Sequence, residues 1–232
     1  MNSLLLSLVL FFNPPHTQAL NQTQVDVVQD VSVMIRAKQY SVNPFSHKVE
    51  YGMSGCSGTY IDSYKVLTAA HCFGEPTLAI WVKDSKETKS HTARLVKMDK
   101  DLDLAILEVK APKGHRYAVI NSTAPKVGEQ VITVGSPFNF QFLLAEGIVS
   151  KLGYKSKEFK ATYLVHTAMI NPGSSGGGLF NSKGELIGVN TMTAGSPFGF
   201  AGISMAVDAA TIDKFVSDKV DMESFFKILF GI

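Results

Sequence analysis

Charged side chains are scarce in this sequence, and neither sign predominates. Asp, Glu, Lys and Arg make up 18% of the 232 residues, and 22 Lys+Arg against 20 Asp+Glu leave a formal charge of +2. A nucleic-acid partner would require a basic excess, so we expect none. Apolar residues make up 45%. The chain is therefore globular, with length for one large all-β domain or two small ones.

Long hydrophobic runs are also absent, apart from an apolar stretch over residues 1–12 that is too short to span a bilayer. It resembles the core of a signal peptide, although no Lys or Arg precedes it. Prolines at 14 and 15 then break any helix, and residues 17–19 offer small side chains for cleavage. We expect residues 1–19 to be a signal peptide and the mature protein to be secreted or periplasmic without a membrane span; a short anchor is the alternative.

Cysteine is limited to Cys56 and Cys72, which are 72 − 56 = 16 positions apart. The intervening residues have the pattern of a strand, a turn and a strand, and such a hairpin can bring the two cysteines together. A disulfide would fit an exported protein. The alternative is a zinc site of Cys56, His71 and Cys72, which lacks a fourth ligand and any C-x-x-C spacing.

From about residue 25 the chain consists of short β-rich runs separated by turn signals, a pattern typical of a β-barrel or sandwich. A Lys-, Pro- and Gly-containing stretch from 110 to 125 divides it into two halves. Helix is expected only late, where Asp208 can cap 209–218 and Asp221 can cap 222–229. The predicted strands are 58–61, 66–69, 78–82, 92–98, 104–109, 131–134, 148–152, 163–166, 186–190 and 203–207.

The segment Gly173-Ser174-Ser175-Gly176-Gly177 places a hydroxyl between glycines. Such a turn lets a substrate approach closely and can aim two backbone N–H groups at one point, which is the arrangement of an oxyanion hole. A Gly/Ser-rich hairpin loop is the simpler interpretation. The nucleophile elbow of α/β-hydrolases needs a His after its Ser, and all six histidines precede Ser175. A phosphate-binding P-loop is excluded because no Lys-Ser/Thr pair follows the glycines.

The chain order of His71, an Asp in the run 99–103 and Ser175 is that of the chymotrypsin-type catalytic triad. Asp99, Asp101 and Asp103 all lie in that run. Period-2 alternation puts Asp101 and Asp103 on the same face, so the local pattern does not separate them. His166 is near Ser175 in sequence and either lines a cleft or ends a strand.

Thr68-Ala-Ala-His-Cys72 resembles the histidine signature of trypsin-like proteases. The segments 135–139, 146–153, 170–177, 184–191 and 200–206 resemble, in order, those of the HtrA/Deg family within it. The resemblance covers nearly all of the chain after residue 50. It implies an all-β fold of two six-stranded antiparallel β-barrels with the active site between them. The barrels would occupy 20–115 and 116–207, and 208–232 would be a short C-terminal helical segment.

The resemblance also assigns roles to residues. It implies a serine endopeptidase that cleaves unfolded or flexible proteins through an acyl-enzyme, without a metal or organic cofactor. Ser175 would be the nucleophile, His71 the general base and Asp103 its orienting acid, because the family places its acid directly before a Leu-Ala-Ile-Leu run. The backbone N–H groups of Gly173 and Ser175 would form the oxyanion hole. A Cys56–Cys72 disulfide would tether the histidine loop.

In this family the base of the specificity pocket lies six residues before the Ser, at Met169, and its wall would be Asn190, Thr191 and Met192. No carboxylate is among them, so we expect an apolar rather than a basic P1 residue.

Only 232 − 175 = 57 residues follow the serine, too few for an HtrA-type PDZ domain. The apolar end, 225–230, would fold back onto a barrel or form a contact in a homo-oligomer. The alternative function is a catalytically silent or activator-dependent module that binds proteins or acts as a chaperone.

Overall fold

A computed structural model describes residues 21–74, 76–109, 116–156, 160–196 and 199–218. The expected signal peptide (1–19) and the expected helix over 222–229 lie outside these ranges. Within them, no helix has the length and apolarity that crossing a bilayer requires. The domain boundaries given above stay predictions.

The first half of the chain forms a closed antiparallel barrel in the strand order β1-β2-β3-β6-β5-β4. Its core includes the fully buried Val66, Val82 and Leu107. Residues 80, 82 and 84 alternate with less buried neighbours, as in a half-buried strand, whereas 66–68 and 104–107 are buried on both faces. The strands are β1 (Ser32–Val42), β2 (Val49–Tyr60), β3 (Lys65–Thr68), β4 (Thr77–Asp84), β5 (His91–Asp99) and β6 (Leu104–Val109).

The second half forms another closed barrel in the order β10-β11-β12-β9-β8-β7, again antiparallel throughout. The prediction of two six-stranded antiparallel barrels is therefore confirmed, and each predicted run contributes to a strand. The strands are β7 (Gln130–Gly135), β8 (Leu143–Lys155), β9 (Thr162–His166), β10 (Gly178–Asn181), β11 (Leu186–Ser196) and β12 (Gly199–Asp208).

The predicted helix after Asp208 is confirmed as α2 (Ala209–Ser217), with the Asp208 carboxylate accepting the N–H of Thr211 at 2.9 Å. The prediction that helix occurs only late is wrong. A helix α1 (Gln22–Asp30) precedes β1, and Asn21 and Gln24 form a reciprocal capping box at its start. The signal was present as Asn-x-x-Gln, but too few apolar residues follow it for a helical period to stand out.

The helices α1 and α2 each contact the barrel that is more distant from them in sequence. Although α1 precedes the first barrel, its Gln24 side chain donates to the carbonyl of Ser182 in the β10–β11 turn. Conversely, α2 follows the second barrel, and the Lys97 ammonium of β5 donates to carbonyl oxygens of Phe215 and, at 2.6 Å, of Asp218. These contacts of α1 and α2 join the two barrels.

Candidate active site

His71 lies in a single 3-10 turn, Ala70–Cys72, that follows β3. The turn is fixed to β2 by the Cys56–Cys72 disulfide, whose Cα atoms are 6.2 Å apart. Both cysteines are consumed by this bond, so the alternative zinc site of Cys56, His71 and Cys72 is not available. The imidazole is 43% exposed, which leaves one edge open to a substrate.

Asp103 is the acid that faces His71. Its carboxylate is 1% exposed and lies 2.8 and 3.1 Å from Nδ1 of His71, and it also accepts the backbone N–H of His71 at 2.9 Å. The hydroxyl of Thr191 donates to the same carboxylate. The Nδ1 edge of the His71 ring thus faces the carboxylate, and Nε2 lies on the other edge of the ring.

The other two acids of the run have different partners. Asp99 accepts the N–H of Leu102 at 2.9 Å within the turn, and Asp101 forms an exposed ion pair with Lys160 at 2.6 Å. Alternation could not separate these acids because residues 100–103 form a turn rather than a strand, and Asp103 has a left-handed φ of 55°. The left-handed backbone turns Asp103 inward while Asp101 stays at the surface.

Ser175 lies in the loop from residue 171 to 177, between β9 and β10, and every carbonyl from 171 to 175 accepts a hydrogen bond. The donors come from the loop itself, from β2 and from the segment after β7. The pairs, donor first, are Ser174 N–H to Asn171, Phe138 N–H to Pro172, Ser57 Oγ–H to Gly173, Gly177 N–H to Ser174, and Ser57 N–H to Ser175, all between 2.8 and 3.1 Å.

The N–H groups of the same loop divide into two kinds. Those of Ser174, Gly176 and Gly177 donate to backbone carbonyls. Within the ranges that the structure describes, no acceptor takes the N–H of Gly173 or Ser175. A loop with its carbonyls occupied and two nearby N–H groups free can bind a negatively charged oxygen.

Two of the loop's glycines are required by the backbone. Gly173 and Gly176 have φ of 104° and 82°. A Cβ at Gly173 would lie 2.7 Å from the carbonyl oxygen of Ser136, and one at Gly176 would lie 2.1 Å from Oγ1 of Thr68. Both the left-handed φ and the close approach exclude a side chain, which explains why the motif is glycine-rich.

The four predicted pocket residues differ in where their side chains go. Met169 is 56% exposed beside the loop, and Met192 is half-buried and packs against the core. Thr191 instead turns to Asp103. Asn190 is fully buried, with its amide donating to the Thr133 hydroxyl at 2.5 Å. No local sequence pattern could indicate the contact between Thr191 and Asp103, because it joins residues 88 positions apart.

His166 ends β9 and is fully buried beneath β11. Its Nε2 lies 3.0 Å from Oδ1 of Asn190, and Asn190 in turn pairs through its backbone with Gly176 and Gly177 of the serine loop. Burial lowers the pKa of His166 to about 4 despite the opposing hydrogen bond to Asn190. The ring is therefore neutral at pH 7, and it supports the serine loop through its contact with Asn190.

A cavity of about 280 Å³ lies beside Gly173, where the two barrels meet. Strands β1 and β2 provide Met34, Arg36 and Met53, and Phe138 and Gly173 complete the wall. The guanidinium of Arg36 donates to the Asn139 side chain at its rim. The cavity can hold part of an extended peptide next to the loop.

A metal could be held elsewhere. In the described part of the chain, Asp84, Glu87 and His91 of the β4–β5 turn offer ligand atoms within 4.8 Å of one another. His91 Nε2 and Glu87 Oε2 already pair at 2.5 Å, and Asp84 is buried. None of these residues contacts the His71, Asp103 and Thr191 group in the described hydrogen bonds.

The sequence and the fold are similar to those of known proteins. The pattern of the trypsin-like peptidase domain family matches residues 56–189. A probable periplasmic serine endoprotease, DegP-like, of Hahella chejuensis is 36% identical over 148 residues, which are 63% of this chain and 31% of that protein. The periplasmic pH-dependent serine endoprotease DegQ of Escherichia coli is 31% identical over 182 residues, which are 76% of this chain and 39% of that protein.

Among solved structures, an HtrA-type protease AlgW with a decapeptide superposes with a TM-score of 0.76 at 21% identity, covering 90% of this chain and 67% of that one, which shows the shared fold. The predicted similarity to HtrA/Deg proteases is confirmed. The chain spans about a third of the length of the curated relatives it matches. The family pattern covers more than half of the sequence, and the chain belongs to the trypsin-like peptidase domain family.

Proposed function

We propose that the protein is a serine endopeptidase that uses Ser175, His71 and Asp103 as its catalytic triad. The observation that carries the proposal is the hydrogen-bonding pattern of the serine loop. All carbonyls from 171 to 175 are occupied, whereas the N–H groups of Gly173 and Ser175 have no acceptor within the described ranges. A loop that required an activator to form an oxyanion hole would not be expected to have this pattern, so the catalytically silent alternative is not favoured.

The proposed reaction begins with the transfer of a proton from Ser175 to His71. His71 Nε2 takes the proton of the Ser175 hydroxyl as Oγ attacks the substrate carbonyl carbon, and the carbonyl oxygen becomes an oxyanion. The N–H groups of Gly173 and Ser175 stabilise that charge, each by about 3 kcal/mol in comparable sites. His71 then protonates the leaving amine as the C–N bond breaks, and water hydrolyses the acyl-enzyme by the same steps.

Asp103 contributes by holding the imidazole rather than by taking a proton. Its contacts to both the ring Nδ1 and the backbone N–H of His71 fix the ring orientation. Its negative charge stabilises the imidazolium that forms in each step. Thr191 adds a further donor, which helps to fix the orientation of the buried carboxylate.

We infer that the substrates are flexible or unfolded proteins, as an extended segment must enter the cleft between two rigid barrels. Met169 and Met192 at the P1 side offer no negative charge, which favours an apolar over a basic P1 residue. The cavity beside Gly173 is the candidate for residues after the cut. The Cys56–Cys72 disulfide fits an oxidising compartment, so we propose a secreted or periplasmic location.

Casein digestion tests the activity. The chain from Leu20 onward should degrade unfolded casein, whereas Ser175→Ala should not, and a serine-directed phosphonate should label only the wild type. Cut sites mapped by mass spectrometry should cluster after apolar residues. A folded wild type that neither cleaves casein nor takes up the phosphonate would overturn the proposal, and cleavage after Lys or Arg would overturn the specificity.

A further inference from the structure

Ser57 of β2 is fully buried and contacts the serine loop at two points. Its backbone N–H donates to the carbonyl of Ser175 at 2.9 Å, and its hydroxyl donates to the carbonyl of Gly173 at 2.8 Å. We propose that Ser57 is a positioning residue for the oxyanion hole. It holds these two carbonyls so that the N–H groups of Gly173 and Ser175 remain aimed at the substrate oxygen.

The hydroxyl of Ser57 also receives a hydrogen bond. The N–H of Ser136, in the segment after β7, donates to Oγ of Ser57 at 2.9 Å. Because a serine hydroxyl has one hydrogen, accepting from Ser136 leaves that hydrogen for Gly173. One hydroxyl thus joins β2 of the first barrel to two segments of the second, and its burial excludes competing water.

Ser57 is itself held firmly enough to act as an anchor. Its carbonyl accepts the hydroxyl of Thr68 at 2.7 Å, and it lies in the paired part of β2, opposite Met34 in β1. The glycines it contacts are packed against it, since a Cβ at Gly176 would lie 2.4 Å from the Ser57 carbonyl oxygen. The loop therefore rests on a rigid strand rather than on another loop.

Holding the carbonyls matters because glycine rotates freely. The carbonyl and the N–H of Gly173 belong to two planar peptide units that meet at its Cα, so fixing the carbonyl restricts how far these two planes can rotate against each other. Without the Ser57 hydroxyl, Gly173 loses this restraint, and the buried N–H of Ser136 loses its acceptor. The restraint acts when charge develops on the substrate oxygen, so its loss should lower kcat and leave KM nearly unchanged.

Ser57→Ala is the direct test, because it removes the hydroxyl and keeps the backbone N–H that binds Ser175. Ser32→Ala is the matched control. Ser32 is also a buried serine of the first barrel, and its hydroxyl donates to the carbonyl of Val28 at 2.6 Å, away from the loop. Both variants lose one buried hydroxyl-to-carbonyl bond, so the loss of stability from that bond affects both, and Ser57→Ala alone also removes the acceptor of the Ser136 N–H. The expected change in kcat rests on the proposed peptidase function.

Steady-state kinetics with a fluorogenic peptide and hydrogen exchange over residues 174–177 are measured on the wild type and both variants. We expect Ser57→Ala to lose about 10- to 100-fold in kcat, up to the loss seen on removing one oxyanion donor, with KM within about twofold. Its loop amides should exchange faster than those of Ser32→Ala, which should match the wild type in kcat.

The two arms separate failure of this inference from failure of the proposed function. If the wild type cleaves the peptide but Ser57→Ala keeps a kcat within about twofold of Ser32→Ala, or its loop exchanges no faster, Ser57 is not a positioning residue. If the wild type is inactive, the peptidase function fails. In that case hydrogen exchange over residues 174–177 alone decides whether Ser57 positions the loop, because this measurement does not require substrate turnover.

Discussion

The protein should lose stability in mild acid because His166 is buried in its neutral form. Its pKa falls from 6.5 to about 4 on folding, mainly through burial. A folded-state pKa below the unfolded one means that the unfolded chain binds the proton first. The stabilisation is thus complete above pH 6.5 and is lost as the pH falls towards 4. A difference of about 2.5 pKa units corresponds to roughly 3 kcal/mol, half of it lost near pH 5.

Urea unfolding of Ser175→Ala, which avoids self-digestion, measures this loss between pH 7.5 and 4. The comparison is the same chain with His166→Gln, whose side-chain amide does not titrate and can still donate to Asn190. We expect the free energy of unfolding of the His166 protein to fall by roughly 3 kcal/mol more than that of the Gln variant. A difference between the two proteins that stays constant across this pH range would refute the reasoning.

Three further outcomes follow from the site geometry. Asp103→Asn should lower kcat by about 10⁴-fold, as it does in the chymotrypsin-type template, whereas Asp101→Asn should stay within about twofold of wild type in the same peptide assay. Equal effects of the two substitutions would reject the assignment of the acid. Reducing the Cys56–Cys72 disulfide should cost about 3 kcal/mol of unfolding free energy in urea, given the 16-residue separation. An unchanged urea midpoint in reductant would contradict it. Gly176→Ala should impair folding or abolish phosphonate labelling, because its Cβ would lie 2.1 Å from Thr68 Oγ1; normal labelling would show that the loop adapts.

The barrels were predictable from the sequence because many of their strands are short runs of apolar and β-branched residues that end in turn signals. The runs at 104–109 and 131–134 show this, as both became buried strands β6 and β7. The first strand, β1, was missed because only one residue separates it from the end of α1, and no Gly or Pro marks a turn between them. The four-residue strand β10 follows directly on the serine loop and offers too short a pattern.

Of the proposed site, the sequence motifs predicted the candidate residues and not the contacts that the structure shows around them. His71, Asp103 and Ser175 stand in recognisable local motifs. Ser57 and Thr191 act through partners that are 116 and 88 positions away, and a short-range pattern carries no information about such pairs. The same holds for the choice between Asp101 and Asp103, which depends on a left-handed residue in a turn.

The contacts of α1 and α2 with distant parts of the chain have a consequence for its synthesis. Gln24 of α1 bonds to Ser182, 158 positions later, so α1 cannot form this contact until strands β7 to β10 have been synthesised. The ammonium of Lys97 likewise can bond to the carbonyls of Phe215 and Asp218 only after residue 218 has been synthesised. Contacts of such long range slow folding, because a long loop must close before they form. A nascent chain would therefore lack the bonds of α2 to Lys97 until residue 218 has been added, and its two barrels would not yet be joined by them.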